Sequence, residues 1–175
     1  MTGRFEKLAE AVAAKVLLNA IDASRRLSEL GVPHVLIGGL AVGVHGQPRA
    51  TSDVDFLVGP EAFESTSPLL IYRDELRDLV RLGIIDFLAV PDAYPSLAEH
   101  LVPAVEGTEL PVIPVEGLIL LKLHANRPQD RADIVTLLRA GADTAKVTRY
   151  LREHAPKLVA RFAELVPPSH DDLQP

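Results

Sequence analysis

The sequence contains no cysteine, no long apolar run and no surplus of basic residues, and each absence excludes a class of structure or site. Without cysteine, neither a disulfide nor a thiolate metal site can form. No apolar run approaches the ~18 residues of a membrane span, so we expect no membrane contact. The formal net charge of −6 offers no broad basic surface, so any contact with RNA would be local. The opening MTGRFEKLAE lacks the apolar core of a signal peptide, so we expect a cytoplasmic protein.

The domain organisation follows from length and from where the patterning changes. A chain of 175 residues with 47% hydrophobic residues can bury a real core and favours one domain with an extension. We expect an α/β core with an N-terminal helix over residues 1–115. A helical C-terminal extension packed on this core follows over residues 116–166, and residues 167–175 form a disordered tail.

Hydrophobic periodicity predicts the secondary structure. An apolar stripe that includes Val16, Ile21 and Leu27 indicates a helix over residues 5–30, closed by Gly31. Strands are predicted over residues 35–37, 53–58, 69–72 and 84–90, with an extended segment over 111–115. Further helices are predicted over residues 40–45, 93–100, 116–125, 129–139 and 143–154, with Gly141 as a C-terminal stop. Residues 74–82 fit either a helix or a strand, and we favour the helix.

The most informative segment runs from His34 to Gly59, where a glycine pair and two aspartates lie close together in the sequence. Gly38 and Gly39 fall between a predicted strand and a predicted helix, where bare backbone amides and the helix dipole suit an anion. Asp53 and Asp55 are spaced i and i+2 on the next strand, so both point from the same face. Two such carboxylates repel each other unless a cation lies between them, and a divalent metal ion removes that conflict. The alternative is a strand-entry cap and a solvated edge aspartate.

Asp86 is the acidic residue of an otherwise apolar strand, IIDFLAV. An ionised carboxylate buried there without a partner would cost several kcal/mol. It therefore caps a loop, pairs with a basic residue such as Arg73, or joins Asp53 and Asp55 on a neighbouring strand. We favour the third interpretation, in which three carboxylates hold two Mg²⁺ ions about 3.5–4 Å apart for displacement at phosphorus.

This ordered set of residues resembles the signature of the nucleotidyltransferase superfamily, with its polymerase-β-like fold. The glycine pair, the D-x-D strand and the later acid span about residues 34–90. The resemblance implies that Gly38 and Gly39 bind triphosphate, that Asp53 and Asp55 bind metal, and that Asp86 acts as base or completes the metal site. It also implies a mixed β-sheet with flanking helices. Relatives often have serine at the second glycine position, so Gly39 removes a hydroxyl contact and keeps the amide.

A second motif lies in the predicted extension, where K-x4-R-x2-D-x2-D begins at Lys122. It is similar to the C-terminal motif of AbiEii/AbiGii-type nucleotidyltransferases, the toxins of type IV toxin–antitoxin systems. That resemblance implies that Lys122 and Asp130 support nucleotide binding and activity. The alternative is that Asp130 and Asp133 offset a helix dipole while Lys122 is a surface charge. Because Lys122 interrupts an apolar run, it needs an acidic or phosphate partner or must extend to solvent.

Two residues before the first acid and one histidine complete the candidates. Arg49 and Thr51 occupy positions where relatives carry a basic and a hydroxyl residue, so both are candidates for contact with the nucleotide. Arg49 either pairs with a phosphate or lies in solvent. His45 ends a predicted helix, and we expect it to interact with the C-terminal carbonyls of that helix.

The predicted function is Mg²⁺-dependent transfer of a nucleoside monophosphate from an NTP to an acceptor. The acceptor would be tRNA or another RNA, or a protein, and a toxin would have a cognate antitoxin protein as partner. Asp53, Asp55, Asp86 and Lys122 are the predicted catalytic residues. The alternatives are an antibiotic-modifying nucleotidyltransferase and a catalytically silent binding protein of the same fold.

Overall fold

The computed structural model describes residues 12–64, 71–81, 85–102 and 110–167. The chain divides into two compact units, residues 1–114 and 115–175. The first unit is mixed α/β, and the described part of the second is helical. Among the described residues, no helix combines the length and apolar character needed to cross a membrane. The tail predicted to be disordered lies almost wholly outside the described residues, which end at Pro167.

The first unit contains three strands, three α-helices and two 3₁₀ turns within its described residues. In chain order these are α1 (Ala14–Glu29), β1 (His34–Leu36), α2 (Gly38–His45), β2 (Val54–Val58), a 3₁₀ turn (Pro60–Ala62), α3 (Asp74–Arg81), β3 (Ile85–Ala89) and a second 3₁₀ turn (Pro95–His100). The predicted strand over residues 69–72 lies mostly outside the described residues. At its end, Tyr72 forms an isolated bridge with Phe63.

The sheet is mixed and has the order β1-β2-β3. β1 runs antiparallel to β2, and β2 runs parallel to β3. Because side chains alternate along a strand, Phe56 and Phe87 lie on one face of the sheet and Asp55 and Leu57 on the other. The face with Phe56 and Phe87 packs with residues of α1 and α3 in the core. The opposite face also contains buried residues, since Leu57 and its register partner Val35 are both fully buried. The mixed α/β class predicted from the sequence is therefore confirmed.

The first helix is shorter than predicted and its buried stripe differs. Val12 and Ala13 are not helical, so α1 begins at Ala14, and the predicted turns before residue 12 lie outside the described residues. The buried positions Val16, Ala20, Ala23 and Leu27 follow i, i+4, i+7 and i+11 spacing. Ile21 lies off this line and is 51% exposed, so its assignment to the stripe was wrong. Gly31 ends the helix with a φ of 69°, as predicted.

A buried polar pair fixes α1 to the sheet. Ser24 Oγ lies 2.7 Å from His34 Nε2, and the other ring nitrogen of His34 donates to the carbonyl of Val32 at 2.8 Å. Both side chains are buried. Burial lowers the pKa of His34 despite the hydrogen bond to Val32, so the ring is held as a neutral imidazole. This pair has a structural role, because Ser24 and the carbonyl of Val32 provide hydrogen-bond partners for both ring nitrogens of His34.

The second unit contains four α-helices within its described residues. They are α4 (Val115–Ala125), α5 (Pro128–Arg139), α6 (Thr144–His154) and, after a 3₁₀ turn (Pro156–Leu158), α7 (Val159–Ala163). Gly141 follows α5 with a φ of 98°, which confirms the predicted stop. Asp143 caps α6, since its carboxylate accepts a hydrogen bond from the backbone amide of Lys146 at 2.9 Å.

Candidate functional site

The first turn of α2 lies directly against β2. The amide of Ile37 donates to the carbonyl of Asp55 at 2.8 Å, which fixes the start of α2 beside the strand. Gly38 then has a φ of 65°, a region that favours glycine. A Cβ added at Gly38 would overlap the Asp55 carboxylate and lie 2.6 Å from its Cγ. The Asp55 carboxylate therefore occupies the space that a side chain at residue 38 would fill.

The second glycine, Gly39, packs closely against the loop that precedes β2. A Cβ at Gly39 would lie 2.9 Å from Thr51 Oγ1 and 3.3 Å from an Nη atom of Arg49. The Thr51 hydroxyl donates to the carbonyl of Asp53 at a long 3.5 Å. The structure thus brings four of the predicted nucleotide-binding residues together: Gly38, Gly39, Arg49 and Thr51.

The acids on β2 and β3 are neighbours. Asp55 and Asp86 are register partners in the parallel pair. Register partners on parallel strands point to the same face with their Cα atoms about 4.8 Å apart. Their face is the one opposite Phe56 and Phe87, which are in the core. Asp86 therefore lies beside Asp55 on the side of the sheet away from the buried aromatic residues.

The environment of Asp86 differs from the one expected. Asp86 is exposed, so the premise that its charge is buried in an apolar strand was wrong. The physical reason is the burial pattern of β3, in which Ile85 and Phe87 face the core while Asp86 and Leu88 face away. Arg73, the basic residue considered as a partner of Asp86, contacts instead the carbonyls of Leu30 and Glu61 and the carboxylate of Glu75.

Asp53 lies just before β2 and is exposed. The Ser52 hydroxyl donates to Asp53 Oδ1 at 2.8 Å. Across the described part of the chain, no group of three or more His, Cys, Asp or Glu side chains is arranged to hold a metal ion. The donors that the strands bring side by side are the carboxylates of Asp55 and Asp86, with Asp53 two residues earlier.

Two carboxylates beside the glycine pair that begins α2 suit a hard divalent cation such as Mg²⁺. Mg²⁺ uses one or two carboxylates and takes its remaining oxygen ligands from water and from substrate phosphates. Asp55 and Asp86 supply hard oxygen donors of this type. A Mg²⁺ ion carried by a triphosphate is therefore compatible with the residues present.

Tyr72 is a residue near the acids that sequence reasoning missed. Its hydroxyl donates to the carbonyl of Phe87, the residue after Asp86, at 2.7 Å. Burial raises the pKa of Tyr72, and the negative charge of Asp86 raises it further. The contact joins residues 15 apart in the sequence, and no local pattern signals it.

The K-x4-R-x2-D-x2-D motif forms a buried network within the second unit. Lys122 Nζ lies 2.7 Å from Asp133 Oδ2 and 3.2 Å from Asp130 Oδ1. All three residues are at most 6% exposed. The alternative that Lys122 is a surface charge was therefore wrong, and the acidic partner that its apolar setting required is present. Gln129 donates to the second oxygen of Asp133 at 2.9 Å.

Arg127 completes this network at the start of α5. Its Nε donates to Asp130 Oδ2 at 2.7 Å, and its backbone amide donates to the same oxygen at 3.2 Å. Burial alone would raise the pKa of Asp130. The hydrogen bonds from Arg127 and the charge of Lys122 outweigh burial, so the pKa lies below its usual value. The motif thus ties α4 to α5.

We expected His45 to interact with the C-terminal carbonyls of its own helix, and this prediction was wrong. Its Nε2 donates instead to the carbonyl of Ile113 at 2.6 Å, a residue far away in the sequence. The carbonyl of Ile113 thus provides a tertiary partner in place of the local one. This contact fixes the end of α2, whose first turn carries the glycine pair.

No known protein family matches the sequence, and no curated protein matches it. Functional inference for this chain therefore rests on the contacts described above and on the motifs that its sequence contains.

Proposed function

We propose that the protein is a Mg²⁺-dependent nucleotidyltransferase that moves a nucleoside monophosphate from an NTP to an acceptor. One observation carries this proposal. The first turn of α2, with its glycine pair, packs against Asp55, and Asp55 is the register partner of Asp86. Backbone amides that suit an anion and carboxylates that suit a cation are therefore adjacent, and this adjacency supports binding of a metal-bound triphosphate.

The glycine pair supports binding of the phosphates. Gly38 and Gly39 open α2, so their amides belong to the first turn, whose N–H groups have no partner within the helix. These amides and the helix dipole favour the negative charge of the β- and γ-phosphates. Because neither residue has a side chain, the Asp55 carboxylate and the Thr51 hydroxyl can lie close to the start of α2, which brings proposed metal and phosphate ligands together. Thr51 and Arg49, beside Gly39, would add a hydroxyl and a positive charge.

The carboxylates support binding of the metal. Asp55 and Asp86 lie side by side, so their charges repel each other, and a divalent cation between them converts this repulsion into attraction. Asp53, two residues before Asp55, stays a predicted third ligand. Mg²⁺ held by these carboxylates would neutralise the negative charge that builds on the leaving group.

Asp86 is the residue we assign to the acceptor. In the proposed reaction the acceptor hydroxyl oxygen bonds to the α-phosphorus, and the bond from that phosphorus to the pyrophosphate oxygen breaks. The hydroxyl proton passes to the Asp86 carboxylate, and pyrophosphate leaves with its electron pair. The exposure of Asp86 supports this assignment because an acceptor must reach it from solvent.

The finer parts of the proposal are the fold family, the acceptor and the role of the second unit. We propose a nucleotidyltransferase fold for the first unit and RNA or protein as acceptor, with a toxin–antitoxin role as the biological setting. The ion pairs of Lys122 and Asp130 support a role in fixing α4 to α5. Participation of these two residues in nucleotide binding stays a prediction.

The test is transfer of label from each of the four α-³²P-labelled NTPs to total cellular RNA or protein with Mg²⁺. We expect one NTP to label a discrete acceptor, and we expect Asp55→Asn to abolish labelling while circular dichroism stays unchanged. Asp92→Asn is the matched control, since Asp92 is an exposed aspartate in a turn outside the site. Equal labelling by wild type and Asp55→Asn would refute the proposed role of Asp55. Absence of NTP binding by wild type would support a catalytically silent protein.

A further inference from the structure

The hydroxyl of Tyr72 holds β3 one residue after Asp86. It donates to the carbonyl of Phe87 at 2.7 Å, and its ring meets the Phe87 ring edge-on with centroids 5.9 Å apart. Phe87 pairs with β2 through its register partner Phe56. The main chain that carries Asp86 is therefore fixed by β2 through the ladder and by Tyr72 through this hydrogen bond.

Tyr72 itself is anchored from several directions. Its ring stacks on Phe63 with centroids 5.3 Å apart, and the two residues form a backbone bridge. Its carbonyl accepts a hydrogen bond from Arg77 Nε at 3.2 Å. Arg77 in turn pairs with Glu64 at 2.7 Å. A side chain held in this way transmits its position to the strand that it contacts.

We propose that Tyr72 is a positioning residue that sets the place of the Asp86 carboxylate relative to Asp55 through the main chain of β3. This inference rests on the proposed function, because it assigns to Tyr72 the geometry of the proposed metal site. Without the hydroxyl, the Phe87 carbonyl loses this partner, and β3 can shift relative to β2. Asp86, the preceding residue, would shift with it.

The chemistry of the site favours Tyr72 as a permanent donor. A phenol donates only while it is protonated, and both burial and the charge of Asp86 raise the pKa of Tyr72. The hydrogen bond to Phe87 therefore persists at neutral pH. Removing a partner that hydrogen-bonds directly to a metal ligand commonly changes metal affinity by about 10–100-fold. Tyr72 acts through the main chain next to Asp86, so we expect the lower end of that range.

The experiment compares wild type, Tyr72→Phe and Phe63→Leu. Tyr72→Phe removes the hydroxyl and keeps the ring. Phe63→Leu is the matched control, since it removes the ring stack on Tyr72 and leaves the hydroxyl in place. Mn²⁺ binding is measured from the free-ion signal in electron paramagnetic resonance, with a non-hydrolysable NTP analogue present and well below each melting temperature. We expect Tyr72→Phe to weaken Mn²⁺ binding about 10-fold and Phe63→Leu to leave it within about twofold.

The outcomes separate this inference from the proposed function. Wild type that binds no Mn²⁺ with the analogue overturns the proposed function and this inference together. Wild type that binds Mn²⁺ while Tyr72→Phe binds it equally well overturns the role of Tyr72 alone. An equal loss in Tyr72→Phe and Phe63→Leu also overturns that role, because general packing would then explain the effect. A selective loss in Tyr72→Phe supports it.

Discussion

Replacing Gly38 by alanine tests the contact between α2 and β2 that the proposed site requires. The φ of 65° at Gly38 costs an L-residue roughly 1–2 kcal/mol. The new Cβ would also overlap the Asp55 carboxylate, and overpacking of this kind adds about 1–3 kcal/mol. We therefore expect Gly38→Ala to lower the free energy of unfolding by about 2–5 kcal/mol. Urea denaturation followed by circular dichroism measures this change.

Gly31 provides a matched control for the backbone contribution. Its φ of 69° is nearly the same, but a Cβ there would meet nothing within 4 Å. Gly31→Ala should therefore cost only the roughly 1–2 kcal/mol of the left-handed backbone. The difference between the two variants isolates the overlap with Asp55.

A double variant identifies Asp55 as the source of that difference. Asp55→Ala removes the carboxylate and leaves its Cβ, which lies 2.8 Å from the position of a Cβ at Gly38. The double variant Gly38→Ala/Asp55→Ala should be more stable than the sum of the two single changes predicts, by about 1 kcal/mol. Equal costs for Gly38→Ala and Gly31→Ala, or additivity in the double variant, would refute the close approach.

Two further predictions concern the buried network of the second unit. Lys122→Met should lower the free energy of unfolding by about 3–5 kcal/mol, since it leaves the buried Asp130 and Asp133 without their lysine. The control Arg25→Gln breaks an exposed pair with Asp22 and should cost less than about 1 kcal/mol. An equal effect of the two changes in urea denaturation would contradict the network's importance. The second prediction concerns pH: the pKa of Asp130 is lower in the folded than in the unfolded chain, so its stabilisation is complete above the unfolded pKa of 3.8. That stabilisation should disappear as the pH falls from there through the folded pKa, and acid titration of Arg127→Ala should show a smaller loss than wild type.

Local periodicity predicted the elements well where burial is uniform or strictly alternating. β3, α4 and α5 lie close to their predicted bounds because their apolar patterns match one period. Ile21 was assigned to the wrong face because an apolar side chain on a helix does not by itself show which neighbours cover it.

The residues of the candidate site were selected from the sequence, whereas their contacts could be described only from the structure. Motif spacing identified Gly38 and Asp55 as candidates, but their direct packing against each other could be seen only in the folded structure. The register between Asp55 and Asp86 depends on how two distant strands align, which no local pattern encodes. Asp86 was expected to be buried because its sequence neighbours are apolar, whereas exposure depends on what covers each face of a strand. The Tyr72 hydrogen bond arises for the same reason from tertiary structure alone.

In the proposed site, the glycine pair, Asp55 and Asp86 together bind a metal-bound NTP. The decisive measurement is isothermal titration of the protein with a non-hydrolysable NTP analogue, with and without Mg²⁺. We expect saturable binding that requires Mg²⁺ and is lost in both Asp55→Asn and Asp86→Asn. Binding that persists without Mg²⁺ or in these two variants, or no binding by wild type, would contradict the claim.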